Sequence, residues 1–317
     1  SASLVPVLSD FVEKDDLEAT NRFLRAMATV LFLALGVVTI LGVLIAPLIV
    51  PYLVHGFRVV PGKVELTVRL TRLLFPYILL IGSATLAMAV LNTHRHFTAP
   101  ALAPALFNIV LIAGTVLVAP RMGAEPSTQI YALAGAVLVG GLMQALIQLP
   151  PLRGLRVSLW PSGDLRHPGV ARVLLLMLPG VLGIAVQELN AFVDTFLGSL
   201  LKQGSVSALE YGQRLMQLPL GVFGVALGTA VLPTLSRQVS RGERSQAEDT
   251  TAFAIRLALL VLLPASLWLI LLAKPILALL FQRGAFGRGD SLAMTASALQ
   301  FYACGLAAYG AAKSLVP

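Results

Sequence analysis

The sequence predicts an all-α, polytopic membrane protein, and three observations support this fold class. Hydrophobic residues make up 57% of the 317 residues and charged residues only 12%, whereas charged residues are about 25% of a soluble domain. Long uncharged windows recur along the chain, and each is close to or above the roughly 18 residues that qualify as a spanning helix. Short motifs repeat at offsets of 227 and 228 residues, which predicts two related halves.

The apolar windows predict eight spans. In chain order they are Ala26–Val54, Leu73–His94, Phe97–Pro120, Pro126–Leu152, Val173–Gln187, Leu215–Ser236, Leu257–Ala273 and Ser291–Ala312. Residues 1–12 resemble the end of another apolar helix, and residues 13–25 are predicted to be a charged link. Residues 55–72 are predicted to be an outer loop. Residues 151–171, rich in Pro, Gly and Arg, are predicted to be the longest inner link and the boundary between two halves.

The distribution of charge indicates orientation rather than a soluble partner. The net charge is +8, but the basic residues are spread among short loops, which excludes a nucleic-acid-binding face. Twelve lysines and arginines fall in the loops on the side of residues 13–25 and eight in the loops on the other side, so the first side is predicted to be cytoplasmic. The one cysteine, Cys304, excludes a disulfide framework.

Two sets of matches define the internal repeat. The segment VPVLSDFV at 5–12 aligns with LPTLSRQV at 232–239, and Pro47 and Gly56 align with Pro275 and Gly284. Six predicted crossings lie between the matched points, so the copies have the same orientation and an axis along the membrane normal relates them, as in many transporters. We therefore predict two pseudo-symmetric six-helix lobes, both incomplete here. They are an N-terminal lobe at 1–150 and a C-terminal lobe at 172–317, joined by a cytoplasmic link at 151–171.

The apolar stretch Val186–Ser236 reads as two helices joined by Lys202–Ser205, and three of the charges within it stand out. These charges are Glu188, Asp194 and Arg214. In the middle of a membrane segment an ionisable side chain costs at least about 2.5 to 3.5 kcal/mol, so it usually faces a protein interior or a hydrated cavity. The three residues are therefore candidates for a transport pathway.

Helical spacing predicts where these groups lie relative to one another. Gln187, Asn190 and Asp194 stand at i, i+3 and i+7 and share one helix face. Asp194 and Arg214 lie at similar distances from the turn at 202–205, roughly 13 to 17 Å at about 1.5 Å per residue, so the two can meet. They form either a neutralised pair that only locks two helices together or part of a hydrated cavity, which the neighbouring amides favour.

The second helix of this stretch has its own signals. Ser207 and Glu210 have the spacing of a capping box, which predicts the start of the helix. Glu210 falls four residues before Arg214, the spacing of a helical ion pair. Pro219 is expected to bend or loosen the backbone.

Residues 193–236, which read VDTFLGSLLKQGSVSALEYGQRLMQLPLGVFGVALGTAVLPTLS, closely resemble the signature hairpin of the MurJ (MviN) family of lipid II flippases. The segments FPYILLIGSATLAMAVLNTHRHFTAPALAPALFNI at 75–109, LVPVLSDF at 4–11 and FQRGAF at 281–286 resemble it too. The resemblance covers essentially the whole chain. It implies a fragment lacking the first helix and the C-terminal helices, with 1–150 holding the end of helix 2 to helix 6 and 172–317 holding helices 7 to 10.

The resemblance also implies a mechanism and a site. The family belongs to the multidrug/oligosaccharidyl-lipid/polysaccharide (MOP) exporter superfamily, in which two MATE-like lobes rock about a central cavity to give alternating access. Arg214 corresponds to a cavity arginine thought to meet the diphosphate of the lipid, and Gln217 stands where some members carry a glutamate. Asn190 and Glu188 are expected in the same cavity. Asp194 resembles a carboxylate implicated in sodium binding in some members.

These residues lead to a definite expectation. The protein is expected to translocate lipid II, the undecaprenyl-diphosphate-linked disaccharide-pentapeptide, across the bacterial cytoplasmic (inner) membrane, as a multi-pass monomer in contact with membrane lipids. It is expected not to be an enzyme, to bind no nucleic acid and to use no cofactor beyond a Na⁺ coupling ion.

Three alternatives stay open. The first is a MOP-type exporter of another lipid-linked saccharide or of a drug, and the second is a scaffold whose polar stripe only fixes packing. The third is a membrane enzyme acting on prenyl diphosphates, which is disfavoured because the sequence has no Asp-x-x-Asp pair and no nucleophile with a base.

Overall fold

The computed structural model describes residues 3–14, 16–155, 157–162, 164–165, 167–224, 231, 234–235, 237–287 and 290–315. The regular secondary structure in these ranges is helical, as predicted. The α-helices are α1 (Leu4–Val12), α2 (Leu17–Leu53), α3 (Lys63–Leu74), α4 (Tyr77–Thr93), α5 (Thr98–Ala113), α6 (Pro126–Leu146), α7 (Leu149–Gly154), α8 (Pro168–Ser199), α9 (Ser205–Pro219), α10 (Arg244–Leu271), α11 (Ala273–Phe281) and α12 (Ser291–Leu315).

Within the described ranges, seven helical stretches are long and apolar enough to cross a membrane. They correspond to seven of the eight predicted windows. The eighth window, Leu215–Ser236, includes residues 225–230, which lie outside the described residues.

Two predicted loops are largely helical, so those predictions were wrong. The charged link ends at Asp16, whose side chain accepts a 2.9 Å hydrogen bond from the Ala19 N–H and so starts α2 at Leu17. The predicted outer loop at 55–72 contains a 3₁₀ turn, His55–Val59, and then α3. The threonines of α3 form a helix because their hydroxyls donate to carbonyls four residues earlier, as Thr71 does to Thr67 at 2.8 Å.

The chain forms two compact units, Ser1–Phe196 and Leu197–Pro317. The first unit buries a cluster from α1, α2 and α4 in which Phe23 and Leu91 are fully enclosed. The second buries a cluster from α9 to α12 that includes Leu262 and Leu299. The division falls near the end of α8, and the predicted lobe boundary at 151–171 stays a prediction.

Glycines let the helices of the second unit approach closely. A Cβ at Gly212 of α9 would lie 3.1 Å from the backbone nitrogen of Leu299 of α12, and a Cβ at Gly310 would overlap with Leu262 Cδ1. Small residues at such crossings are typical of membrane helices, because association there depends on close packing.

The structure contains the predicted repeat as an order of elements. Helix α2, the turn at His55–Val59 and helix α3 are repeated as the helices α10 and α11, a 3₁₀ turn at Gly284–Gly287 and α12. The first residues of α3 and α12, Lys63 and Ser291, are 228 positions apart, which is the offset between the two Pro–Gly pairs. The symmetry axis of the lobes stays a prediction.

In both copies of the repeat, a side chain at the same position donates a hydrogen bond to a backbone carbonyl of the preceding long helix. Arg72 Nε donates to the carbonyl of Val43 in α2 at 2.9 Å. Gln300, 228 positions later, donates through Nε2 to the carbonyl of Ile270 in α10, also at 2.9 Å. Pro47 stands four residues after Val43 and has no N–H to give that carbonyl. Arg72 therefore replaces the helical donor that the proline removes.

Replacing Arg72 with alanine should destabilise the full-length protein by about 0.5 to 1.5 kcal/mol, the net contribution of a typical hydrogen bond. In a Pro47→Ala background the new N–H supplies the donor, so the same substitution should cost clearly less. Reversible unfolding in detergent micelles measures both, with Arg69→Ala, on the same helix, as the control. Equal costs of Arg72→Ala in the two backgrounds would disprove this role.

Candidate functional site

The polar residues of the first candidate helix all lie on α8. Glu188, Asn190 and Asp194 are exposed, as is every described side chain from Leu174 to Leu197. The Gln187 side chain, part of the predicted stripe, lies outside the described residues. A carboxylate on such an apolar helix needs water or a polar partner when it lies in a membrane.

The turn between the two candidate helices is made by a glycine rather than a capping box. Helix α9 begins at Ser205, after Gly204 with φ of 98°, and Gly204 accepts a 2.9 Å hydrogen bond from Ala208 N–H through its carbonyl. This left-handed conformation is open to glycine at little cost. The predicted start at Ser207 is therefore wrong, and Ser207 lies within the first turn of the helix.

An ion pair holds this turn to the start of α12. Lys202 Nζ lies 2.5 Å from Asp290 Oδ2. The hydrogen bond from Lys202 and its positive charge lower the pKa of Asp290 from its usual 3.8. Both side chains are exposed, so this contact fixes the turn at a solvated end of the unit.

Helix α9 has two distinct faces. Its buried face consists of Ser205, Ala208, Gly212 and Leu215, which pack in the second unit. Polar residues at i, i+3, i+7 and i+10 occupy an exposed face, and they are Ser207, Glu210, Arg214 and Gln217. Ser207 and Glu210 were not predicted as site residues, although this spacing in the sequence was sufficient to find them.

Arg214 is held by its own helix. Its Nε donates to Glu210 Oε1 at 2.9 Å, while 71% of the Arg214 side chain and 56% of the Glu210 side chain stay exposed. This confirms the predicted i, i+4 pair. Among the described residues no other group bonds the guanidinium, so its remaining N–H donors are open to a ligand.

The backbone changes directly after this face. Helix α9 ends at Pro219, and a π-helical turn follows at Leu220–Gly224. Pro219 cannot donate to the carbonyl of Leu215, which loosens the helix as predicted.

The predicted site residues lie on two helices. Arg214 and Gln217 share one face of α9, and Glu188, Asn190 and Asp194 share helix α8. Asp194 belongs to the first unit and Arg214 to the second, so their meeting stays a prediction. In the described part of the chain, no three His, Cys, Asp or Glu side chains come close enough to hold a metal ion.

Comparison with known proteins decides the family. The family model described as "Lipid II flippase MurJ" matches residues 1–317. The chain belongs to this family.

Curated relatives agree with this assignment. The chain is 38% identical over 321 residues to the lipid II flippase MurJ of Burkholderia cenocepacia, covering 100% of this chain and 61% of that protein. It is 32% identical over 324 residues to a protein of Vibrio cholerae named as a probable lipid II flippase MurJ, with 100% of this chain and 61% of the relative covered. The chain thus spans about three fifths of the length of these relatives.

A solved structure has the same fold. The structure called "Lipid II flippase MurJ, inward closed conformation" superposes with a TM-score of 0.79 at 24% identity, covering 99% of this chain and 63% of that one. Together with the seven apolar spans, the family assignment makes this chain a multi-pass protein of the bacterial cytoplasmic membrane.

Proposed function

We propose that the full-length protein is a flippase that moves lipid II across the cytoplasmic membrane by alternating access. The observation that carries this proposal is the family match over all 317 residues. The relatives that the chain matches at full coverage bear the name of lipid II flippases, which are transporters. Substrate, direction and coupling are proposals for the longer protein of which this chain spans three fifths.

Arg214 is the residue we assign to the diphosphate of the substrate. A guanidinium is always charged and offers a planar fork of donors that fits phosphate oxygens. Glu210 occupies only Nε of Arg214, so the fork formed by the two terminal nitrogens is left for an anion. Gln217, one turn later and also exposed, supplies amide donors and acceptors beside it.

The residues on α8 receive roles of their own in this proposal. Asn190 and Glu188 would bind hydroxyl and amide groups of the saccharide and peptide. Asp194 and Asn190, four residues apart on one face, offer oxygen atoms, which hard cations such as Na⁺ prefer. Two side chains are too few for a complete shell, so further ligands of a coupling Na⁺ would come from other segments of the full-length protein.

We further propose that the protein is not an enzyme and acts as a monomer. Flipping moves the headgroup and leaves every covalent bond intact, so it needs no nucleophile and no catalytic base. Partners are then lipid II and the surrounding membrane lipids, without nucleic acid. Export of a cationic drug is disfavoured because Arg214 would repel it, whereas export of another anionic lipid-linked saccharide remains the second candidate.

Reconstitution tests the proposal. Full-length protein in vesicles should move labelled lipid II between leaflets at least tenfold faster than protein-free vesicles. A lipid-linked saccharide with a monophosphate and a cationic dye serve as competing substrates. Faster movement of either competitor than of lipid II would favour the exporter alternatives and refute the substrate assignment.

A further inference from the structure

The link between α7 and α8 is attached to the first unit along much of its length. Residues 157–162 have no regular secondary structure and run beside the N-terminal part of α2. The Ser158 N–H donates to Asn21 Oδ1 at 2.7 Å. The Ser162 N–H donates to Thr29 Oγ1 at 3.0 Å. Both bonds use backbone groups of the link.

A third bond lies between these two. Arg25 Nε donates to the carbonyl oxygen of Trp160 at 3.3 Å. Asn21, Arg25 and Thr29 are spaced by four residues, which is about 6 Å along one face of a helix. The three bonded link residues are spaced by two, which is about 6.6 Å in an extended chain. The two spacings match, so this face of α2 fits an extended backbone.

Other contacts fasten this segment and the residues after it. Val157, directly before the three bonds, and Leu159, between the first two of them, pack against the buried cluster of the first unit. Beyond the segment, the His167 ring lies 5.8 Å from the Phe11 ring and 5.6 Å from the Phe23 ring. The link is therefore attached before and after the three backbone bonds.

We propose that residues 157–162 form a strap that stays docked on the α2 face made by Asn21, Arg25 and Thr29 throughout the transport cycle. The proposal rests on the proposed function, because a change between inward and outward states is what would pull the strap away. A free link over 151–171 could extend to about 70 Å, at 3.3 to 3.6 Å per residue. With the strap docked, only residues 163–166 lie between it and His167, and they span at most about 14 Å.

The first test locks the strap in place. Thr29→Cys and Ser162→Cys are combined in full-length protein whose other cysteines, including Cys304, are replaced by alanine. A disulfide between them leaves the bonds at Ser158 and Trp160 intact. The oxidised protein should flip lipid II at no less than half the rate of the reduced protein.

Two results would oppose the docked strap, and a third would oppose the proposed function. If the disulfide does not form, the strap is not docked on α2. If oxidation slows flipping tenfold or more and a reductant restores it, the strap must leave α2 during transport. Each single-cysteine variant receives the same oxidant as a control, and only a loss specific to the double variant counts. If the reduced parent does not flip lipid II at all, the proposed function fails.

The second test measures docking without transport. A cysteine replacing Leu159 should react slowly with a maleimide, and adding Asn21→Ala with Thr29→Val should raise the labelling rate about tenfold. Thr85→Val is the matched control for Thr29, since the Thr85 hydroxyl donates to the carbonyl of Ile81 in its own helix at 2.7 Å. Equal labelling rates in all three proteins would overturn the docked strap, whatever the outcome of the transport assay.

Discussion

Flipping of lipid II should fall about 10-fold to 100-fold when Arg214 of the full-length protein is replaced by alanine. The substitution removes charge-assisted hydrogen bonds to the diphosphate, each worth about 1.5 to 3 kcal/mol, and about 1.4 kcal/mol corresponds to a factor of ten. Arg214→Lys keeps the charge and loses the fork, so it should be impaired by about tenfold. Initial flipping rates in vesicles, together with growth of cells that depend on the variant gene, measure both effects.

Two controls separate this role from packing. Glu210→Gln removes the ion-pair partner of Arg214 and keeps the guanidinium, so flipping should stay within about threefold of the parent, since exposed helical pairs contribute about 0.3 to 0.5 kcal/mol. Arg22→Ala breaks a similar exposed pair, in which Arg22 Nη2 lies 3.3 Å from Glu18 Oε1, and should leave flipping unchanged. Normal flipping by an Arg214→Ala variant that inserts normally would instead favour the scaffold alternative.

The spanning helices could be predicted from the sequence because the bilayer sets their length and their apolar character. A spanning helix must be apolar over about 20 residues, so hydropathy located the seven described spans, and the pair Glu210–Arg214 follows from helical spacing alone. The repeat was readable because Pro47 and Gly56 recur as Pro275 and Gly284. Proline removes a helical hydrogen-bond donor and glycine weakens a helix, so their recurrence is visible in the sequence.

The features that hydropathy missed depend on polar groups bonding to backbone. The polar sequence of helix α3 is typical of a loop, but its threonine hydroxyls bond to their own helix, as Thr67 does to the carbonyl of Lys63 at 2.8 Å. The strap at 157–162 is recognised through its peptide groups, and peptide groups leave no signature in a sequence. The start of α9 was misplaced because Gly204 takes a left-handed conformation that the serine–glutamate pattern does not reveal.

Replacing Phe23 with alanine should destabilise the full-length protein by about 3 to 5 kcal/mol, the usual cost of removing a buried aromatic side chain. Phe23 is fully buried, and its ring stacks on Phe11 with centroids 4.8 Å apart. It also lies beside His167, directly before the start of α8. Reversible unfolding in micelles measures the loss, with Phe97→Ala, at a side chain 60% exposed, as the control that should cost little.

A double-mutant cycle between Phe23 and Gly169 tests their contact directly. A Cβ at Gly169 would lie 2.7 Å from Cδ2 of Phe23, so Gly169→Ala should destabilise the parent protein. In a Phe23→Ala background the ring is absent and the new methyl group has space, so the same substitution should cost clearly less. The two costs should differ by about 0.5 to 3 kcal/mol, the range for residues in contact. Additive costs would show that Phe23 and Gly169 do not pack together.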